Sequence, residues 1–210
     1  MIVAGSYEGG LHGWENNSLA FSFVAHTGCV RSVAINKKLL ISGGDDEVIK
    51  IFNLKSRKQV GEAERQQGTI TALAFCHSHA LSGAGDGSIC VWRDWECVHI
   101  LGGHKAAVSC VAPHPSGRMA LSTGDDRTLR LWDLVSGRSA FITRTRGTPR
   151  LCALCDDGSK YLVVAGRKVD VKDTVEGSTE SIDHDAVVLH ALFLDLHLEH
   201  LGVGGGAARA

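Results

Sequence analysis

The chain has 210 residues, of which 25 are glycine and only 3 are proline, and its apolar residues come in short runs. This composition is typical of many short strands joined by tight turns. Because 22 basic residues nearly balance 23 acidic ones, the net charge of -1 excludes a global electrostatic attraction to nucleic acid or to an anionic membrane.

The cysteines and the apolar segments indicate where the protein works. The seven cysteines are an odd number without a regular spacing, and no apolar signal segment follows the first residues, so we expect an intracellular, reducing compartment. The longest apolar segment, Val187 to Leu201, contains charged residues and histidines and is shorter than the roughly 20 residues of a membrane-spanning helix. We therefore predict no transmembrane span.

A repeat of about forty residues runs along the chain from its first residues. Four segments align with one another and end in an aromatic residue at Trp14, Phe52, Trp92 and Trp132, which are 38, 40 and 40 residues apart. An acidic residue stands six positions before each aromatic, and a serine stands four positions before the acidic residue in the last three segments. A repeat of this length is typical of propeller blades and solenoids.

Within each repeat the apolar pattern is that of strands. The segments 30–35, 69–75 and 108–113 alternate apolar and polar residues with a period of two, which buries one face of a strand. Each is followed by a second short run, an acidic and glycine-containing turn, and a third run that ends in the aromatic. No helical periodicity is found before residue 186. The sequence predicts an all-β fold with four strands in each repeat.

The third repeat resembles the WD40 family. It contains Gly103-His104, the segment HPSG at 114–117, and the pair Trp132-Asp133. In that family a histidine, a serine, an aspartate and a tryptophan form a hydrogen-bonded tetrad, in which the buried carboxylate is satisfied by donors from an adjacent loop. The resemblance implies a structural tetrad at these positions: His26, Ser42 and Asp46 in the first repeat, Ser82, Asp86 and Trp92 in the second, and His104, Ser122, Asp126 and Trp132 in the third.

Two repeats depart from the tetrad. Phe52 replaces tryptophan in the first, and Gln66 replaces histidine in the second. We expect each of these blades to be less stable by about 1 kcal/mol, the contribution of one neutral hydrogen bond. Because the serine, histidine and aspartate recur in each repeat, we interpret them as structural and not as a catalytic triad, and we expect no enzyme activity.

The domain boundaries follow the repeats. We predict WD40 repeats over 1–185, beginning with a half-blade and ending with a weak repeat whose segment 173–185 is a polar exit, and a non-propeller tail over 186–210. About four blades are too few for the usual ring of about seven, so we expect a partial propeller from a C-terminally truncated protein. The units are 1–24, 25–64, 65–103, 104–143 and 144–185.

A narrower resemblance extends from Met1 to about Val171. The segments VAGSYEGGLHGW, LSGAGDGSICVW and above all residues 114–142 are similar to the p21-activated kinase-interacting proteins, a family of nucleolar WD40 proteins. The resemblance implies a negative regulator of p21-activated kinase signalling and a factor in assembly of the large ribosomal subunit. Its implied partners are the kinase and pre-ribosomal assembly factors, with indirect proximity to RNA and a nuclear, nucleolar location.

Binding residues are expected where loops emerge from the rigid blades. The candidates lie at blade entries and at turns between the second and third strands: Arg31, Asp45, Thr71, Ser109, Asp125, Arg127 and Arg130. The alternative for each is a solvated turn residue. We expect no cofactor and no small-molecule substrate.

Two other interpretations remain open. The chain could be a generic WD40 adaptor with unrelated partners, or a metal-dependent hydrolase that uses the histidines of 184–200. The spacing of His197 and His200 is only a weak version of a zinc motif, and Cys152 and Cys155 supply only half of a four-ligand site. We interpret these cysteines as core residues and predict no metal.

Overall fold

The computed structural model describes residues 1–77, 79–174 and 179–183, with side chains given except at Glu180, Ile182 and Asp183. The described residues contain nineteen strands and no helix, and hence no helix able to cross a bilayer. The strands form five antiparallel sheets that follow one another along the chain without closing a ring. The predicted all-β partial propeller is therefore confirmed.

The first sheet has three strands and the next two have four each, in chain order. The first contains β1 (Ile2–Gly5), β2 (Gly10–Glu15) and β3 (Ser18–Val24). The second contains β4 (Val30–Ile35), β5 (Leu39–Gly44), β6 (Ile49–Asn53) and β7 (Lys58–Ala63). The third contains β8 (Ile70–Cys76), β9 (His79–Ala84), β10 (Ile89–Arg93) and β11 (Glu96–Leu101).

The fourth and fifth sheets also have four strands each. The fourth contains β12 (Val108–Pro113), β13 (Met119–Gly124), β14 (Thr128–Asp133) and β15 (Arg138–Arg144). The fifth contains β16 (Pro149–Leu154), β17 (Lys160–Ala165), β18 (Lys168–Asp173) and β19 (Thr179–Asp183).

Two details differ from the sequence analysis. The segment 1–24 carries three strands, one more than a half-blade would have. Residues 179–183, expected to belong to a polar exit, pair with β18 as a fourth strand, with Val171 opposite Glu180. Polar alternation on an outer strand is easily mistaken for a loop, because such a strand has few apolar residues to mark it. The predicted tail, 186–210, lies outside the described residues.

In the second, third and fourth sheets the second strand is buried and the outermost strand is largely exposed. Every residue of β9 and β13 after the first is buried, whereas β15 is exposed at all positions but one. Four of the five hydrophobic clusters lie between neighbouring sheets, as where Leu81 and Val108 belong to one core. The second strands of these three sheets are thus buried on both faces, which explains why apolar and small residues run there without alternation.

Glycines on the second strands make this close stacking possible. A Cβ built on Gly43 would lie 2.5 Å from Cγ2 of Ile70, and one on Gly83 would lie 2.5 Å from Cγ1 of Val108. Ile70 and Val108 each begin the inner strand of the next sheet. The first aliphatic side chain of one blade therefore fills the space that a missing side chain leaves in the preceding blade.

Candidate functional site: the tetrads and the loop surface

The fourth sheet carries a complete tetrad. His104 lies in the loop entering the sheet, and its Nδ1 is 3.1 Å from both carboxylate oxygens of Asp126. Its Nε2 is 2.7 Å from Oγ of Ser122, and the indole N–H of Trp132 donates to the same hydroxyl oxygen at 2.8 Å. Because Nδ1 faces a carboxylate, it carries the proton, and Nε2 accepts the hydrogen bond of the serine. A neutral histidine thus joins the entry loop to β13 and to the turn that follows β13.

The electrostatics agree with this assignment. Burial lowers the pKa of His104 more than the neighbouring carboxylate raises it. Burial raises the pKa of Asp126, but donors to the carboxylate outweigh it and leave that pKa at about 2. The donors are the backbone N–H of Lys105, the hydroxyl of Thr128 and the ring of His104. The site holds an ionised carboxylate beside a neutral imidazole.

The second sheet keeps the histidine and loses the indole. Nδ1 of His26 lies 2.8 Å from Oδ1 of Asp46, and Nε2 lies 2.7 Å from Oγ of Ser42. Phe52 is buried at the position of the tryptophan, so Ser42 receives no indole donor. The pKa of Asp46 is lowered, because its hydrogen bonds with His26 and the backbone outweigh the effect of burial.

The third sheet keeps the indole donor, but a glutamine replaces the histidine and changes the other contacts of the tetrad. The Oε1 atom of Gln66 accepts the hydroxyl of Ser82, and the indole of Trp92 donates to Ser82 Oγ at 2.8 Å. The Gln66 amide nitrogen donates to backbone oxygens, at 2.9 Å for Ser88. Asp86 is left with backbone donors, including N–H of Ser88 at 2.8 Å. Glutamine preserves the contact with the serine and loses the contact with the aspartate.

The three aspartates therefore serve separate sheets. Asp46, Asp86 and Asp126 each lie in the turn after the second strand of their own sheet and bond to the loop entering it. A repeated clamp of this kind holds the loops of each blade in place. Sequence reasoning did not foresee the part played by Thr128, which bonds to Asp126 at 2.7 Å, although its place two residues after the acid is a known side-chain capping position.

The seven candidate binding residues fall into two groups. Four are exposed on the turns and blade entries: Arg31, Asp45, Asp125 and Arg127. Arg31 and Asp45 form an ion pair at 2.8 Å, in which the guanidinium of Arg31 lowers the pKa of the Asp45 carboxyl.

The other three make contacts within the propeller. The hydroxyl of Thr71 donates to carbonyl oxygens of two different sheets, at 3.1 Å for Gly83 and 2.5 Å for Val108. Ser109 shares a hydrogen bond with the hydroxyl of Thr123 at 3.0 Å. Arg130 is partly buried with its guanidinium carbon 5.9 Å from the ring centre of Trp132. These three residues are placed to support the scaffold.

The structure describes both cysteines of the CxxC pair but not the histidines on which a metal site in 184–200 would depend. Cys152 is buried on β16, where the adjacent thiol of Cys110 and burial raise its pKa, and Cys155 follows the end of that strand. Within the described ranges no group of three or more His, Cys, Asp or Glu side chains could hold a metal ion. The histidines of 184–200, on which the hydrolase alternative depends, lie outside those ranges.

Comparison with known proteins places these repeats in a family. The model for "WD domain, G-beta repeat" matches residues 17–53, 57–93 and 95–133. The chain is 40% identical over 180 residues to "p21-activated protein kinase-interacting protein 1-like" of Gallus gallus, covering 81% of this chain and 49% of that protein. The chain spans about half the length of the curated relatives that it matches from bird, frog and fish.

Two fungal proteins are also similar. The chain is 38% identical over 145 residues to "Protein MAK11" of Saccharomyces cerevisiae, covering 60% of this chain and 35% of that protein. It is 30% identical over 156 residues to "Shk1 kinase-binding protein 15" of Schizosaccharomyces pombe, covering 70% and 45%. The repeats and these names support a protein-interaction scaffold. The chain belongs to the WD40-repeat family, with relatives among the p21-activated kinase-interacting proteins.

Proposed function

We propose that the chain is a non-enzymatic scaffold whose loop surface binds the regulatory region of a p21-activated kinase and restrains its activation. The names of relatives from a bird and from fission yeast both refer to kinase binding. The observation that carries the proposal in this chain is the exposed charge on clamped loops, above all Arg127. Such loops are held in position before binding, which reduces the entropy lost on association.

Hydrogen bonds hold the turn that carries Arg127 to the entry loop of its sheet. The N–H of Arg127 donates to the carbonyl of Gly124 at 3.0 Å. The two preceding residues, Asp125 and Asp126, bond to backbone groups of the entry loop. Arg127 itself is exposed, so its guanidinium is available for bidentate contacts with carboxylates. We infer that the kinase segment presents acidic or hydroxyl groups to this turn.

A charge reversal tests the proposal. We expect Arg127→Glu to weaken binding of a purified kinase regulatory segment about tenfold, as loss of a central charged contact does. Arg138→Glu is the matched control, because it makes the same change at an exposed residue of the outer strand β15. Titration by calorimetry measures both. Absence of saturable binding to the unmodified chain, or equal losses in the two variants, would contradict the proposal.

A role in assembly of the large ribosomal subunit in the nucleolus is the second proposed function. It is supported by the resemblance of residues 114–142. The net charge of -1 favours contacts with protein assembly factors over direct binding of RNA. Affinity purification of this chain from nuclear extract, with quantitative mass spectrometry, should enrich precursors of the large subunit. Recovery of chaperones alone would argue against this role.

A further inference from the structure

The inner strands of the second to fifth sheets, β4, β8, β12 and β16, lie side by side along the row of sheets. A β-bulge near the start of each inner strand leaves its second residue unpaired. The third residue therefore occupies an equivalent place in every inner strand: Ser32, Ala72, Cys110 and Leu151. Contacts between neighbouring inner strands can thus be compared position by position.

The third residue of one inner strand contacts the fourth residue of the next. Between the second and third sheets, Oγ of Ser32 accepts the N–H of Leu73 at 2.9 Å. Between the fourth and fifth sheets, the thiol of Cys110 donates to the carbonyl oxygen of Cys152, 3.4 Å from its Sγ. Cys152 is buried, and the half-buried Cys110 packs against it in one hydrophobic cluster. This interface therefore places a cysteine on each side of the same contact.

The surroundings of the two thiols favour a negative charge on Cys110. Hydrogen bonds with the Cys152 thiol, and with backbone groups of Cys152 and Val111, lower the pKa of Cys110 to about 7, although burial acts in the opposite direction. The Cys110 thiol and burial together raise the pKa of Cys152. Near neutral pH a thiolate therefore lies beside a protonated thiol, which is the arrangement of an attacking and a resolving cysteine.

We propose that Cys110 and Cys152 are a site of reversible oxidation by hydrogen peroxide, at which a disulfide joins β12 to β16. The Cys110 thiolate attacks one oxygen of the peroxide, the O–O bond breaks, and the departing hydroxide takes up a proton, which leaves a sulfenic acid and water. The Cys152 sulfur then attacks the sulfur of that sulfenic acid, and its proton leaves with the hydroxyl group as a second water. In sum, two thiols and one peroxide give one disulfide and two waters.

The disulfide changes how the fifth sheet is held. In the reduced chain the fourth and fifth sheets are joined by side-chain packing around Leu129 and Val163 and by the connection from β15 to β16. A covalent bond between inner strands restricts the separation of the two sheets. A dithiol reductant restores both thiols by thiol–disulfide exchange. The site is distinct from the loop surface of Arg127 and does not depend on kinase binding.

A second pair of neighbouring thiols provides an internal reference. Cys90 on β10 lies beside Cys97 on the adjacent strand β11 of the same sheet. Burial and the Cys97 thiol raise the pKa of Cys90, which is fully buried. Because a protonated thiol is a poor nucleophile, we expect peroxide to oxidise the Cys110 and Cys152 pair before this one.

Peroxide treatment of the reduced 210-residue chain tests the proposal. Free thiols are alkylated afterwards, and the chain is digested without reductant for peptide mass spectrometry. We expect a disulfide-linked peptide pair that contains Cys110 and Cys152 and disappears after treatment with dithiothreitol. Cys152→Ala should abolish this pair, whereas Cys155→Ala, the same change three residues along the chain, should retain it. In the oxidised chain the amides of β16 should exchange with deuterium about tenfold more slowly than in the reduced chain.

Two further variants test the order of the steps. In Cys152→Ala, peroxide should carry Cys110 on to a sulfinic acid, because no second thiol resolves the sulfenic acid. In Cys110→Ala, the protonated Cys152 should remain a thiol under the same conditions. Absence of the Cys110 to Cys152 disulfide in the unmodified chain overturns the proposal, whatever the variants do. Equal yields of this disulfide and of a Cys90 to Cys97 disulfide also overturn it, because they would show unselective oxidation.

Discussion

Ser42, Ser82 and Ser122 occupy equivalent places in three successive sheets and are all fully buried. Their partners differ, however: Ser122 bonds to both a histidine and an indole, whereas Ser42 bonds to the histidine alone. A buried polar group that loses its partner costs more than the hydrogen bond contributed. The three serines therefore share one side chain and one position but differ in the groups that hydrogen-bond to it.

Substituting these serines one at a time should separate the hydrogen bonds. We expect Ser122→Ala to lower the free energy of unfolding by about 2 kcal/mol, because both Trp132 and His104 lose a buried partner. Ser42→Ala, which deletes the same atom and leaves one ring without a partner, should cost about 1 kcal/mol less. Urea denaturation measures both values. Equal losses would mean that the indole bond contributes nothing.

The His104 and Asp126 pair should also make stability depend on pH. His104 has a pKa below its ordinary 6.5 in the folded chain, so its contribution is present above pH 6.5 and is lost as the pH falls through the folded value. Asp126, with a pKa lowered to about 2, adds a second loss as the pH falls from about 4 toward 2. Urea titrations of unmodified chain and His104→Gln should show a smaller loss below pH 6.5 in the variant.

Four of the sheets share one turn geometry at the acidic position of the repeat, with different residues. The residue after the acidic position has a positive φ in four sheets: 78° at Gly9, 65° at Glu47, 84° at Gly87 and 59° at Arg127. A Cβ on Gly87 would lie 2.6 Å from the carbonyl oxygen of His104, whereas Glu47 carries a side chain at the equivalent place. The positive φ alone does not require glycine, since Glu47 adopts it. Glycine is also required for space at position 87, because the entry loop of the next sheet lies against it.

Two opposite substitutions test the turn. Gly87→Ala should lower the free energy of unfolding by about 2 kcal/mol or more, because left-handed strain adds to the collision with the next entry loop. Glu47→Gly should raise it by up to about 1 kcal/mol, since it relieves the strain without removing a buried contact. Thermal and urea unfolding measure the changes. A loss of stability in Glu47→Gly would contradict this account.

As a whole, the described molecule is a row of sheets in which each packs only against its neighbours. Four core clusters alternate with the five sheets along the row, from the one around Leu11 and Phe52 to the one around Leu129 and Cys152. In such an architecture stability is approximately a sum over neighbouring interfaces. A sheet at the end of the row has one interface, and a central sheet has two.

Hydrogen exchange should follow this gradient. We expect the amides of β2 and β17 to exchange through openings of lower free energy than those of β9 and β13, whose residues are buried on both sides. Exchange measured by mass spectrometry on peptides from each sheet tests the order. Equal protection along the whole row would show that the described chain unfolds as one cooperative unit.

The sequence by itself determined the fold class and the repeat, because the first strands alternate apolar and polar residues and the acid of each turn and the aromatic of each third strand recur at a nearly constant spacing. It also placed Ser122, Asp126 and Trp132 at positions equivalent to Ser82, Asp86 and Trp92 in the preceding repeat. Only the tertiary structure decided that Gln66 turns to Ser82 and leaves Asp86 to the backbone, and that Thr71 joins two sheets while Arg31 lies in solvent. It alone showed that residues 179–183 pair with β18 as a strand, because a polar outer strand has few apolar residues to mark it.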